Sequence, residues 1–155
     1  MLTKVKTKPV KAAGGHFAII ASRYNARYVD AMVRAATRTL KSARAERVQI
    51  VRVPGAYEIP VVAQRLARAG SPPFSAIICL GVILRGATSH AQHIGEAVTR
   101  ALTRIQLDHE VPVIHEVLLL ENEAQAKQRC LGRDHNRGTE AAQTALAMAA
   151  LMRSL

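Results

Sequence analysis

Two kinds of apolar pattern alternate along this chain. Short apolar-rich runs, HFAIIAS, RVQIVRVP, SAIICLGVIL and VPVIHEVLLL, read as strands. Between and after them apolar residues recur every three or four positions, which predicts helices from about Ala26, from about Pro60 and from Ser89, then two more after the fourth run. In the first helix Val29, Met32, Val33, Ala36 and Leu40 form the apolar stripe, with Arg27, Arg34, Arg38 and Lys41 between them. In the third, Ile94, Ala97, Val98, Ala101, Leu102 and Ile105 repeat the interval. Both stripes read as core. Asn122 followed by Gln125 resembles a helix start, and HNRGTEAAQTALAMAALM predicts an Ala-rich final helix after a glycine-containing break. Strand and helix in alternation mean a parallel sheet with helices on both faces, an α/β fold.

Composition narrows this picture. A chain of 155 residues is sized for one domain with a substantial core. Residues 1–15, basic and then rich in small side chains, read as a flexible arm, and 16–155 as the folded domain. The first residues lack the apolar core of a signal peptide and no later run is long enough to cross a membrane, so the cytoplasm is the expected compartment. Cys79 and Cys130 are too few and too far apart for a disulfide framework or a metal cluster. The formal charge of +11 would attract a polyanion, but the arginines are spread along the chain, Trp is absent and no basic residues interleave with aromatics. Solvated helix faces explain the charge, and nucleic acid is not the expected partner.

Right-handed crossovers bring every strand-to-helix junction to the carboxyl edge of the sheet, where ligands bind in open α/β folds. Three junctions therefore carry the candidate chemistry. In LRGATSH, Gly86 permits close backbone approach, and a helix capped by Thr88 or Ser89 offers free N–H groups to an anion. An ordinary capped helix start accounts for the same residues. His90 lies in the first turn, where the positive helix end disfavours a further positive charge and suits the ring to take and return protons. His90 and His93 lack the additional ligands a metal would need, so no metal is expected. In SRYN, Tyr24 stands where its ring can lie over a flat heterocycle or simply over the sheet end. In VPGAYEIP a tight Pro-Gly turn precedes Glu58, which can favour the helix start or accept hydrogen bonds from sugar-like hydroxyls. An aromatic face, a hydroxyl acceptor, an anion seat and a proton-transfer group on one edge suggest a polar heterocycle and a small phosphorylated partner.

Taken in order and at their spacing, SRYN, VPGAYEIP, LGVILRGATSHAQHIGEAV, VPVIHEVL, NEAQAKQR and NRGTEAAQTALAMAAL resemble the 6,7-dimethyl-8-ribityllumazine synthase family, from about Gly15 to Arg153. The resemblance implies a flavodoxin-like three-layer α/β/α sandwich with a four-stranded parallel sheet, forming pentamers. It implies a transferase of riboflavin biosynthesis that condenses 5-amino-6-(D-ribitylamino)uracil with 3,4-dihydroxy-2-butanone 4-phosphate, releasing phosphate and water and using no cofactor. By matching position, Tyr24 would stack on the pyrimidine and Ala56, Tyr57 and Glu58 would hold the ribityl chain. Val82, Ile83 and Leu84 would bind the pyrimidine edge largely through backbone groups, Ala87, Thr88 and Arg129 would receive the phosphate, and His90 would transfer protons.

In this family, sites are shared between adjacent subunits, which would make His115 and Arg129 the neighbour's contribution. Decamers, icosahedral shells and association with riboflavin synthase belong to the same implication. The chain departs from the family pattern at His115, where many members have Phe, at Leu119 and Leu120, often threonines, and in HAQHI. His115 implies a more polar and titratable wall beside the pyrimidine. A second reading, a catalytically minor relative acting as a scaffold or container for anions, draws on the charge and on these departures. The joint presence of Glu58, His90 and Arg129 weighs against it.

Overall fold

The computed structural model describes residues 10–12 and 14–155. Strands β1 (His16–Ser22), β2 (Arg47–Val53), β3 (Ala76–Leu84) and β4 (Val113–Leu120) fall on the four apolar runs. Helices α1 (Ala26–Ser42), α2 (Ile59–Ala69), α3 (His90–His109), α4 (Glu123–Cys130) and α5 (Arg137–Ser154) fill the intervals, and a single 3-10 turn at Ala56–Glu58 leads into α2. The strands are all parallel, in the order β2-β1-β3-β4. This is the flavodoxin-like α/β arrangement, with its switch point between β1 and β3.

Alternation along each strand sorts the core into two layers. Phe17, Ile19, Ile78 and Leu80 pack with Val29, Met32, Leu40, Ala142 and Leu146, so α1, α4 and α5 cover one face. Ala18, Ile20, Ile77 and Cys79 pack with Ile59, Ala63, Val98 and Leu102, so α2 and α3 cover the other. The central strands are fully buried and read as continuous apolar sequence for that reason. At the edge, β2 is half-exposed, and its Arg52 pairs with Asp30 of α1 at 2.7 Å.

Gly138 does not lie in a break before α5 as its sequence suggests. It sits in the first turn of the helix, capped by Asn136, whose side-chain oxygen accepts from the Gly138 N–H at 2.9 Å. A Cβ at Gly138 would collide with the Met32 carbonyl, so the glycine permits close packing of α5 on α1. Of the arm expected over 1–15, residues 1–9 and 13 lie outside the described residues. Ala12 is buried and its N–H donates to the Ala43 carbonyl at 2.8 Å, so the chain joins the core before His16. Among the described residues no helix is long and apolar enough to cross a membrane.

Candidate active site

The site is built on a difference in strand length. Pairing of β1 with β3 ends at Ala21 and Leu80, whereas β3 runs on to Leu84 beside β4 alone. The Ile77 N–H donates to the Pro112 carbonyl and the Arg85 N–H to the Leu120 carbonyl, so odd-numbered residues of β3 turn their backbone groups toward β4. Even-numbered residues turn theirs toward the space beyond the end of β1. Val82, which is buried, and Leu84, which is half-buried, thus turn their backbone groups past the end of β1, while those of Ile83 are spent on β4. This divides the expected Val82, Ile83 and Leu84 set: only alternate residues can read a ligand edge through the backbone.

The Val82 carbonyl already has one partner. Asn25, held at φ 57° as the residue before α1, donates its side-chain Nδ2 to that oxygen at 2.7 Å. Asn tolerates this left-handed conformation better than most residues, and here it ties the end of β1 to β3. Neighbouring Tyr24 is 70% exposed, and its ring edge lies 3.1 Å from where a Cβ on Gly55 would stand. Glu58 also turns back to Gly55, accepting its N–H at 2.8 Å through Oε2. Gly55 therefore brings Tyr24 and Glu58 to one place. Ala56 is buried beneath the turn and Tyr57 is exposed.

The next junction is open. Residues 85–90 are all exposed, and a Cβ on Gly86 would meet no atom within 4 Å. Close approach inside this chain is therefore not what requires glycine there. Ser89 precedes α3 without a side-chain capping bond, and the Thr88 hydroxyl accepts the His90 N–H at 3.4 Å. Ala87, Thr88 and His90 stand together at the start of α3. Arg85 is drawn to β4 through Glu121 at 3.0 Å.

His115 and Arg129 lie elsewhere. Arg129 is exposed near the end of α4, on the side of the sheet where β4 carries Glu116. The Glu116 carboxylate accepts from Arg137 Nε at 3.0 Å, and Arg137 also donates to Glu140 at 2.6 Å. Burial pushes the Glu116 carboxyl up to about 7, against the pull of Arg137 and then of Arg129. His115 faces the other layer, where its Nε2 meets the Thr99 hydroxyl of α3 at 2.8 Å. Burial lowers its affinity for a proton. These bonds run within β4, α3 and α5, and none joins His115 or Arg129 to Tyr24, Glu58 or His90.

Sequence reasoning missed Asn25 and the Glu116–Arg137 pair. SRYN already placed Asn25 at a helix entrance, where its residue type was the clue. A carboxylate inside the otherwise apolar VIHEVLLL was the clue to a buried counter-charge.

Comparison with known proteins gives the family. The family model described as 6,7-dimethyl-8-ribityllumazine synthase matches residues 14–153. A protein of that name from Xylella fastidiosa (strain 9a5c) is 40% identical over 148 residues, covering 94% of this chain and 95% of the relative. Namesakes from Stenotrophomonas maltophilia (strain R551-3) and Xanthomonas oryzae pv. oryzae (strain PXO99A) are each 41% identical over 141 residues, covering 90% of both chains. A chain matched over its whole folded length, on the flavodoxin-like sheet described above, belongs to the 6,7-dimethyl-8-ribityllumazine synthase family.

Proposed function

We propose that this chain carries out the reaction for which its family is named, condensing 5-amino-6-(D-ribitylamino)uracil with 3,4-dihydroxy-2-butanone 4-phosphate in the riboflavin pathway. The single observation that carries the site assignment is the extension of β3 past β1, which leaves Val82 and Leu84 without a β1 partner at the same carboxyl edge as the Tyr24, Gly55 and Glu58 cluster. In this reading Tyr24 stacks on the pyrimidine, with Val82 and Leu84 along its edge and the Ile83 side chain beneath. Ala56, Tyr57 and Glu58 hold the ribityl hydroxyls; Glu58 Oε1 accepts no hydrogen bond from the described residues and is free to do so. Ala87 and Thr88 at the start of α3 receive phosphate together with Arg129, whose planar fork suits that group.

His90, exposed beside that seat, relays protons during imine formation, phosphate loss and ring closure. Positioning of the two reactants supplies up to about 7 to 11 kcal/mol of the barrier, and acid-base assistance about 10²- to 10⁴-fold in rate. His115, bonded to Thr99 and Val117 of its own chain, and Arg129, exposed on α4, serve the crevice of the adjacent subunit. The active form is accordingly a ring, a pentamer working in the cytoplasm. Its contact runs along the outer edge of β4, where a groove of about 550 Å³ between that strand and α3 is lined by Arg85, Gln92, Glu96, Thr99, Arg100 and Leu119.

The test is to mix the purified protein with both substrates and follow the lumazine chromophore. His90→Ala is expected to slow turnover about 10²- to 10⁴-fold while a product analogue still binds. A large loss of analogue binding would make His90 a binding group instead.

A further inference from the structure

Among the described residues no strand pairs with the outer edge of β4, and its backbone groups follow a simple parity. Because the Pro112 and Leu120 carbonyls bond β3, even-numbered residues face the sheet and Val113, His115, Val117 and Leu119 turn their N–H groups outward. Two of these edge donors are capped by side chains. Gln106 Oε1 accepts from Val113 N–H at 3.0 Å, and His115 Nδ1 accepts from Val117 N–H at 3.2 Å. Such capping blunts an edge that would otherwise invite strand addition.

The bond to Val117 fixes the chemistry of the imidazole. If Nδ1 accepts, it carries no proton, and a neutral ring then has its proton on Nε2. The Thr99 hydroxyl is placed to receive that proton's bond. It donates to the Gly95 carbonyl at 2.8 Å, one turn back in α3, and so meets His115 Nε2 at 2.8 Å as an acceptor. The chain Val117 N–H to His115 to Thr99 to Gly95 is complete with a neutral ring. A second ring proton would leave the Val117 N–H facing a donor.

Among the described residues no charged side chain pairs with the ring to offset that cost. On α3 the closest ionised groups pair with one another, Arg100 with Glu96 at 3.6 Å and Arg104 with Asp108 at 2.8 Å. The β3 residue in register with His115 is Cys79, a buried thiol pushed far above its ordinary value. Glu116, with Arg137 and Arg129, lies on the opposite side of the sheet.

We propose that Thr99 is a positioning residue for this enzyme: its hydroxyl holds His115 as the neutral Nε2–H tautomer, with both ring nitrogens spent inside the chain. The ring then offers a flat, uncharged face and no proton to the heterocycle bound against it. This rests on the assignment of His115 to the adjacent subunit's site, and the experiment separates the two claims.

Nitrogen-15 NMR of histidine-labelled assembled protein reads the tautomer directly. The expected spectrum has His115 Nε2 protonated and Nδ1 bare, persisting below the ordinary histidine range. Thr99→Val is expected to mix the tautomers and raise the KM for the uracil roughly threefold to tenfold with little change in kcat. Thr99→Ser is expected to restore both. A protonated Nδ1 at neutral pH, or a His115 that titrates in the ordinary histidine range, would overturn the lock. An intact lock whose loss in Thr99→Val leaves the uracil KM unchanged would overturn the role of Thr99 in the reaction. Failure of the wild-type protein to form the chromophore would count against the function itself, and the NMR result would stand apart from it.

Discussion

His115 and Glu116 are adjacent on β4, point to opposite faces of one sheet, and solve the same problem in opposite ways. Burial disfavours the charged form of each, lowering the imidazole and raising the carboxyl. His115 meets only neutral partners, a backbone N–H and a hydroxyl, and stays uncharged. Glu116 meets a guanidinium and lies near a second, so an ion pair forms at the cost of burying it. Two residues thus divide β4 into a neutral side toward α3 and a charged side toward α4 and α5. On the proposed function the first serves the heterocycle and the second the phosphate.

The two sides also respond to pH in opposite senses. His115 binds a proton less readily folded than unfolded, so its contribution to stability is complete above the ordinary histidine value and declines as pH falls below it. Glu116 binds a proton more readily when folded. Its contribution is complete below about 4.5 and is lost as pH rises through about 7.

The strongest way to separate the two sides is Arg129→Ala. Loss of a charge-assisted contact is expected to raise the KM for the phosphorylated ketone about tenfold to a hundredfold, with a much smaller effect on the uracil. Equal effects measured for both substrates would remove the phosphate assignment. Arg137→Met acts on the ion pair itself. It is expected to cost about 1.5 to 3 kcal/mol in chemical denaturation at pH 8, and clearly less at pH 5, where Glu116 takes up a proton. A loss independent of pH would mean that Arg137 acts through Glu140 and packing rather than through Glu116. The smallest expected effect belongs to His115→Phe, which keeps a flat ring and removes its nitrogens. The KM for the uracil is expected to stay within about threefold and stability to fall by about 1 kcal/mol through the uncapped Val117 N–H. The acid decline in stability should become shallower; an unchanged decline would locate it elsewhere.

The contrast across β4 also shows what the sequence can carry. Alternation in VPVIHEVLLL puts His115 and Glu116 on opposite faces, and the runs that mark β1, β3 and β4 are apolar because those strands are largely buried. What alternation cannot supply is the partner. Thr99 lies 16 residues from His115 and Arg137 lies 21 from Glu116, and only the packing of α3 and α5 on the sheet brings them together. Gly138 was misplaced for the same reason, since its role depends on the distant Met32 carbonyl. Tyr24 and Glu58 were legible as site candidates because each lies at a strand-to-helix junction. Their meeting at Gly55 needed the fold.

The most direct test of a site divided between subunits is complementation. His90→Ala and Arg129→Ala proteins would be denatured together, reassembled as mixed rings and assayed for lumazine formation beside each variant reassembled alone. Shared sites predict that the mixture regains a substantial fraction of wild-type turnover, because some sites combine an intact His90 from one chain with an intact Arg129 from the next. A mixture no more active than the variants alone, in rings shown by native mass spectrometry to contain both, would contradict the account.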